Sequence, residues 1–282
     1  MKLNLIRTLA LLVAVVFFNT ACKKNAVPAL AKTPAADYKT LSSQIASGLY
    51  KSLTGGYGGI NINDGISSPK TATINHKPFM LNSVNQVSLC GFIVDTTFQT
   101  KFNVHDTTKT IKGSFHFVYN CDAGILNGYT VNESYTAADS GTHFTDYNSV
   151  KQNYVVKALD NTYKLVSMDG SSSVDIQNTF YVTPDPRIGR GDQGAHVLNS
   201  AYVLTGLKVD FTSGTADITT GIATFTTSTY DVNANTAIDG LNSFLFGTIQ
   251  FLGDHKAKIS YSGFNPPLAF MVDLLTGTAT KL

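Results

Sequence analysis

Residues 90–121 read CGFIVDTTFQTKFNVHDTTKTIKGSFHFVYNC, and the parity of the apolar positions changes once within them. In the first half Cys90, Phe92, Val94, Phe98, Phe102 and Val104 are even-numbered; in the second, Ile111, Phe115, Phe117, Tyr119 and Cys121 are odd. A period of two is the pattern of a strand with one buried face. Two such strands, antiparallel, share a buried face only when opposite residue numbers have an odd total, because a slip of one turns every side chain over.

Setting Cys90 against Cys121 fixes that total at 211. Phe92 then meets Tyr119, Val94 meets Phe117, Thr96 meets Phe115 and Thr100 meets Ile111, with the turn at His105 and Asp106. Each is a cross-strand pair on one face. A disulfide closing this loop would contribute roughly 3 to 4 kcal/mol in the chain-entropy model. The alternative is two buried free thiols.

The same reading extends along the chain. A three-residue loop at 122–124 is expected to set Phe117 against Tyr129 and Phe115 against Val131. The turn at 212–214 lies between Val209/Phe211 and Ala216/Ile218, and the turn at 253–255 pairs Phe251 with Ala257 and Ile249 with Ile259. Strands are expected near 144–157, 161–168, 172–182, 199–211 and 268–275. The fold class is therefore all-β: a large antiparallel meander, as a curved sheet, an open barrel or a sandwich. One helix precedes it, at 37–54, where Leu41, Ile45, Leu49 and Leu53 recur every four residues behind an Asp37 cap. The glycines at 55, 56, 58 and 59 follow a helix and lack the Lys and Ser/Thr of a phosphate loop, so they are read as its C-terminal cap.

Ahead of the helix, Lys2 and Arg7 bracket the start of an apolar run, 9–18, with the small residues Thr20 and Ala21 and then Cys22 behind it. That layout is a secretory signal peptide, and about 15 Å of helix is too short for a membrane span. Thr20-Ala21-Cys22 resembles the lipobox of bacterial lipoproteins, with Asn19 where the family usually has an aliphatic residue. The resemblance covers residues 1–24 and implies removal of 1–21 and lipidation of Cys22. It also implies an outer-membrane destination, periplasm-facing or at the cell surface, since Lys23 is not the Asp of inner-membrane retention. An ordinary signal peptide would instead leave Cys22 a free thiol. Residues 22–36 read as the lipidated cysteine and a tether on the order of 20 Å long. Residues 37–282 are the β-rich domain, with a subdivision considered near 183–198.

Net charge is +2 with 14% charged residues, which gives no electrostatic case for nucleic acid. No motif asks for a cofactor, and the histidines show no close metal-ligand spacing. The Asp-His neighbours 105/106 and 254/255 fall in expected turns, where Asp is favoured for backbone reasons. The segment 183–197 is long for a β connection and holds Arg187, Arg190, Asp192 and His196. Paired arginines suit a carboxylate or phosphate, so these four are the candidate ligand-binding residues. Asp106-Thr107-Thr108 resembles the short Asp-Thr site at which some bacterial envelope proteins are O-glycosylated, which points to Thr107. The expectation is an envelope lipoprotein held by its lipid, a non-enzymatic module binding a glycan, lipid or protein partner. The alternative is a hydrolase of an envelope or extracellular substrate, with Asp192 and His196 as acid and base.

Overall fold

The computed structural model describes residues 35–59, 62, 70–74, 77–80, 90–105, 107–181, 193–232 and 243–282. The helix α1 spans Ala35–Leu53, two residues earlier than expected at its start, which places Asp37 within its first turn instead of ahead of it. A short hairpin pairs β1 (Lys70–Ile74) with β2 (Lys77–Met80). The remaining strands form one sheet: β3 (Ile93–Val104), β4 (Thr107–Asp122), β5 (Ile125–Ser140), β6 (Phe144–Ala158), β7 (Leu165–Tyr181), β8 (Gln193–Asp210), β9 (Asp217–Val232), β10 (Ser243–Gly253), β11 (Lys256–Tyr261), β12 (Leu268–Asp273) and β13 (Ala279–Lys281).

These 11 strands lie side by side in chain order, every pair antiparallel, with β3 and β13 as open edges. The fold is thus the all-β meander with a preceding helix, realised as one open sheet and not a sandwich. β7 and β8 pair from end to end across the point where a subdivision was considered.

The β3–β4 register runs from Ile93 opposite Val118 to Val104 opposite Thr107, every pair totalling 211 as the cysteines require. Cys90 and Cys121 form the disulfide, with Cα atoms 5.4 Å apart. The hairpins around 212–214 and 253–255 also have the expected partners: Val209 opposite Ile218, Phe251 opposite Ala257 and Ile249 opposite Ile259.

Two expectations need correction. After β4 the turn has two residues, Ala123 and Gly124, both with positive φ, and an irregularity near Asn127 follows. Tyr119 therefore faces Tyr129, and Phe117 faces Val131 instead of Tyr129. The faces are unchanged, and Phe117 still stacks diagonally on Tyr129 with ring centroids 4.8 Å apart. Second, 161–168 and 172–182 are not separate strands. β7 starts at Leu165 and runs on through Gly170 in unbroken register with β6, while on its other side a bulge in β8 sets Thr205 and Gly206 together against Asp169. The φ of 153° at Gly170 and its approach to β6 admit no side chain: a Cβ there would lie 2.3 Å from the Asn153 carbonyl oxygen.

One face of the sheet is packed and the other open. Tyr129, Val131, Tyr135, Val150, Tyr154, Val174, Tyr202, Phe225, Ile249 and Ile259 are buried on the inner face, and α1 lies against it through Ile45, Leu49 and Leu53. The helix bonds to widely separated strands. Ser52 Oγ is 3.3 Å from Ser172 Oγ on β7, Tyr202 Oη on β8 donates to the Ile45 carbonyl at 2.9 Å, and Ser42 Oγ is 2.9 Å from Tyr261 Oη on β11. From Ser52 to Ser42 is about 15 Å of helix axis, so α1 meets β7, β8 and β11 in turn by running across the strands. The helix ends as its glycines foretold, with Gly55 at φ 70° and the Gly56 N–H donating to the Lys51 carbonyl at 2.7 Å.

Candidate functional site

Successive registers place the outward residues of β3 to β10 in rows that cross the strands. One row begins with Asp95 opposite His116, continues through Asn132, Asn153 and Ser171, and leaves by Val203, Thr224 and Thr248. The row beside it begins with Thr97, Ser114 and Ser134, passes Lys151, Ser173 and Ala201, and ends at Thr226 opposite Phe246. Between β5 and β10 the two rows floor a trough of about 690 Å³. Under β3 to β5 a second hollow of about 480 Å³ continues it, and Asn132 lines both.

The trough's chemistry is hydroxyl and amide, with apolar contact at one end. Phe246 and Val203 are 51% and 56% exposed, and Phe244, one row further on β10, is 66% exposed. Large side chains at such exposure are the informative exception on a polar face. At the other end His116 Nδ1 donates to Asp95 Oδ1 at 2.6 Å, both side chains well exposed. An exposed pair of this kind contributes at most about 1 kcal/mol. Lys151 is the cation midway, and beside it burial pushes the Asp175 carboxyl up against the opposing pull of Lys151.

The inner face is electrostatically different. Glu133, the chain's single glutamate, is buried there opposite Gln152. Burial, then the Glu133 charge, pushes the Tyr135 hydroxyl far above its ordinary range, and burial does the same to Tyr202. Among the described residues no group of three His, Cys, Asp or Glu side chains is placed to hold a metal. No described helix is long and apolar enough to cross a membrane.

Of the residues singled out from the sequence, Cys22, Arg187, Arg190 and Asp192 lie outside the described residues. His196 is not in a loop: β8 begins at Gln193, and His196 pairs with Asn178 and Asp231. Thr107 is the first residue of β4, half-buried opposite Val104. Asp254 and His255 form a turn with φ of 52° and 53°, and both main-chain N–H groups donate to the Asp217 carboxylate, so this pair is a structural turn. The polar rows were missed. Their first rung was within reach, because the register that opposes Cys90 to Cys121 also opposes Asp95 to His116. No protein-family model, curated protein or solved structure matches this chain.

Proposed function

We propose that the chain is an outer-membrane-anchored envelope lipoprotein whose domain is a non-enzymatic binding module, and that its ligand is an extended glycan laid across the strands of the outer face. The observation that carries this is the pair of hydroxyl and amide rows crossing eight strands and ending at exposed Phe246. Sugars offer hydroxyls along their edges and apolar C–H faces, which suit small polar side chains and an aromatic platform respectively. From β5 to β10 the rows extend about 24 Å, enough for several sugar units in line. The inner face, where a lipid would have to sit, is covered by α1 and buried tyrosines.

The test is isothermal titration with soluble envelope polysaccharide, comparing the native domain with Phe246→Ala and Asn153→Asp. Binding weakened about tenfold or more by each variant, with melting temperature unchanged, supports the reading. No binding by the native domain, or equal binding by both variants, overturns it. The anchor is tested separately: intact mass of the membrane-purified protein should correspond to a chain beginning at acylated Cys22.

A hydrolase remains the second reading because His116 and Asp95 stand at the end of these rows at hydrogen-bond distance. It requires release of shortened chains during incubation, abolished by His116→Ala.

A further inference from the structure

Along one flank of α1, Ser43, Ser47 and Lys51 succeed one another at four-residue intervals, with Gln44 beside them. Four-residue spacing stacks side chains on one helix face. This stripe faces Ile176 of β7 and the turn after β12, and between them lies a recess of about 240 Å³, separate from the outer trough. Its walls are Ile176 and Leu274, and its floor is Gly48. A Cβ on Gly48 would sit 3.7 Å from the Tyr57 hydroxyl and 3.8 Å from that of Tyr202, so the glycine keeps the floor low.

The hydroxyls of the recess are not equivalent. Ser43 Oγ donates to the Gly277 carbonyl. Ser47 is only 7% exposed, yet among the described residues its hydroxyl has no hydrogen-bond partner. A buried helical serine would usually bond back to a carbonyl one turn earlier, and leaving its hydroxyl unmatched costs about 1 to 3 kcal/mol. The Ser47 hydroxyl points at the turn: a Cβ on Gly277 would lie 3.5 Å from it. Such a group, lining a recess of this size, is placed to meet something that enters.

Ser47, Tyr57, Gln44 and Lys51 each bring a donor to the recess. Burial pushes the Tyr57 hydroxyl up to about 12, so it keeps its proton at neutral pH. Gln44 offers an amide, Lys51 stands exposed at the rim as a cation, and among the described residues no acidic side chain lines the recess, the Asp273 carboxylate behind the turn being taken up by the Leu275 and Thr276 N–H groups. Donors without an acidic neighbour select an anion, and the short apolar walls suit a carbon skeleton no larger than one sugar ring.

We propose that this recess binds a small polyhydroxylated carboxylate, a sugar acid, with its carboxylate on Lys51 and a hydroxyl on Ser47. The site is independent of the glycan trough and stands or falls without it.

The probe is glucuronate, titrated calorimetrically into the full mature protein, with glucose and acetate as comparators. Saturable binding of glucuronate at least about tenfold tighter than either comparator is expected. Lys51→Met, at an exposed position, should bring glucuronate down to the level of glucose. Ser47→Ala should weaken binding while leaving the unliganded melting temperature equal or higher, since the hydroxyl it removes is unmatched. The proposal is overturned if glucuronate gives no saturable heat, if glucose binds equally well, or if Lys51→Met binds like the native protein. It is overturned too if Ser47→Ala lowers the unliganded melting temperature while leaving binding intact, which would make the serine purely structural.

Discussion

Tyr202, on the inner face of β8, donates its hydroxyl proton to the main-chain carbonyl of Ile45, 2.9 Å away in the middle of α1. The two residues are separated by 157 positions, so this bond joins the helix to a strand made much later. The Ile45 carbonyl also has the helical position that accepts from four residues on. Replacing Tyr202 by Phe therefore removes a second bond and does not orphan the acceptor. The expected loss is about 1 kcal/mol, read as a lower urea midpoint with unchanged slope.

Gly247 is a stricter point. A Cβ there would lie 2.1 Å from the Ser260 carbonyl oxygen on β11 and 2.9 Å from the ring of Phe225 on β9. Neither neighbour can withdraw, since one is main chain and the other is buried against Tyr261 at 5.7 Å between centroids. Gly247→Ala should cost about 2 kcal/mol or more. An unchanged melting temperature would show that β10 and β11 can part without cost.

The disulfide ties β4 to the residues just before an edge strand, over a sequence separation of 31. Cys90→Ser with Cys121→Ser should lower stability by roughly 3 to 4 kcal/mol if the whole sheet unfolds as one unit. If the edge hairpin opens alone, the global midpoint moves little and amide exchange rises only in β3 and β4. Exchange mass spectrometry of the reduced and oxidised protein separates these outcomes.

Buried tyrosines set an alkaline limit. Burial raises the hydroxyl of Tyr57 from 10.0 to about 12, and burial raises Tyr135 and Tyr202 further. For a group whose folded pKa is raised, the stabilisation is complete below the unfolded value and is lost as pH climbs through the folded one. Stability should hold up to about pH 10 and fall above it, with tyrosinate absorbance rising in step with unfolding. Tyrosinate formation that is complete before any loss of circular dichroism would contradict the burial.

The β3–β4 register was legible because two cysteines and one switch of parity gave independent statements of the same total. Nothing comparable announces the irregularity near Asn127, the continuation of β7 through Gly170 or the β8 bulge opposite Asp169. A glycine with positive φ inside a strand looks in sequence like the end of that strand, and only the approach of the neighbouring strand shows otherwise. The outer rows were illegible for a cumulative reason. Each rung from Asp95 to Thr248 depends on every register before it, and the bulges shift several of these. The serines, threonines and asparagines along them are also ordinary strand-surface residues taken singly. His196 was misplaced because β8 starts with Gln193, Gly194 and Ala195, residues with weak strand preference held there by pairing with β7.

Because neighbours in the sheet are neighbours in the chain, strands can be added one at a time as they appear, with most connections short. The helix is the exception. Its partners Ser172, Tyr202 and Tyr261 lie 120 to 219 residues downstream, so the first element made is the last to be covered. Throughout assembly its stripe of Leu41, Ile45, Leu49 and Leu53 stays open to solvent and to anything that recognises exposed apolar helix. A chain cut short before β11 would keep that stripe partly bare, so holding this helix apart from other chains is the task that its synthesis imposes on the cell.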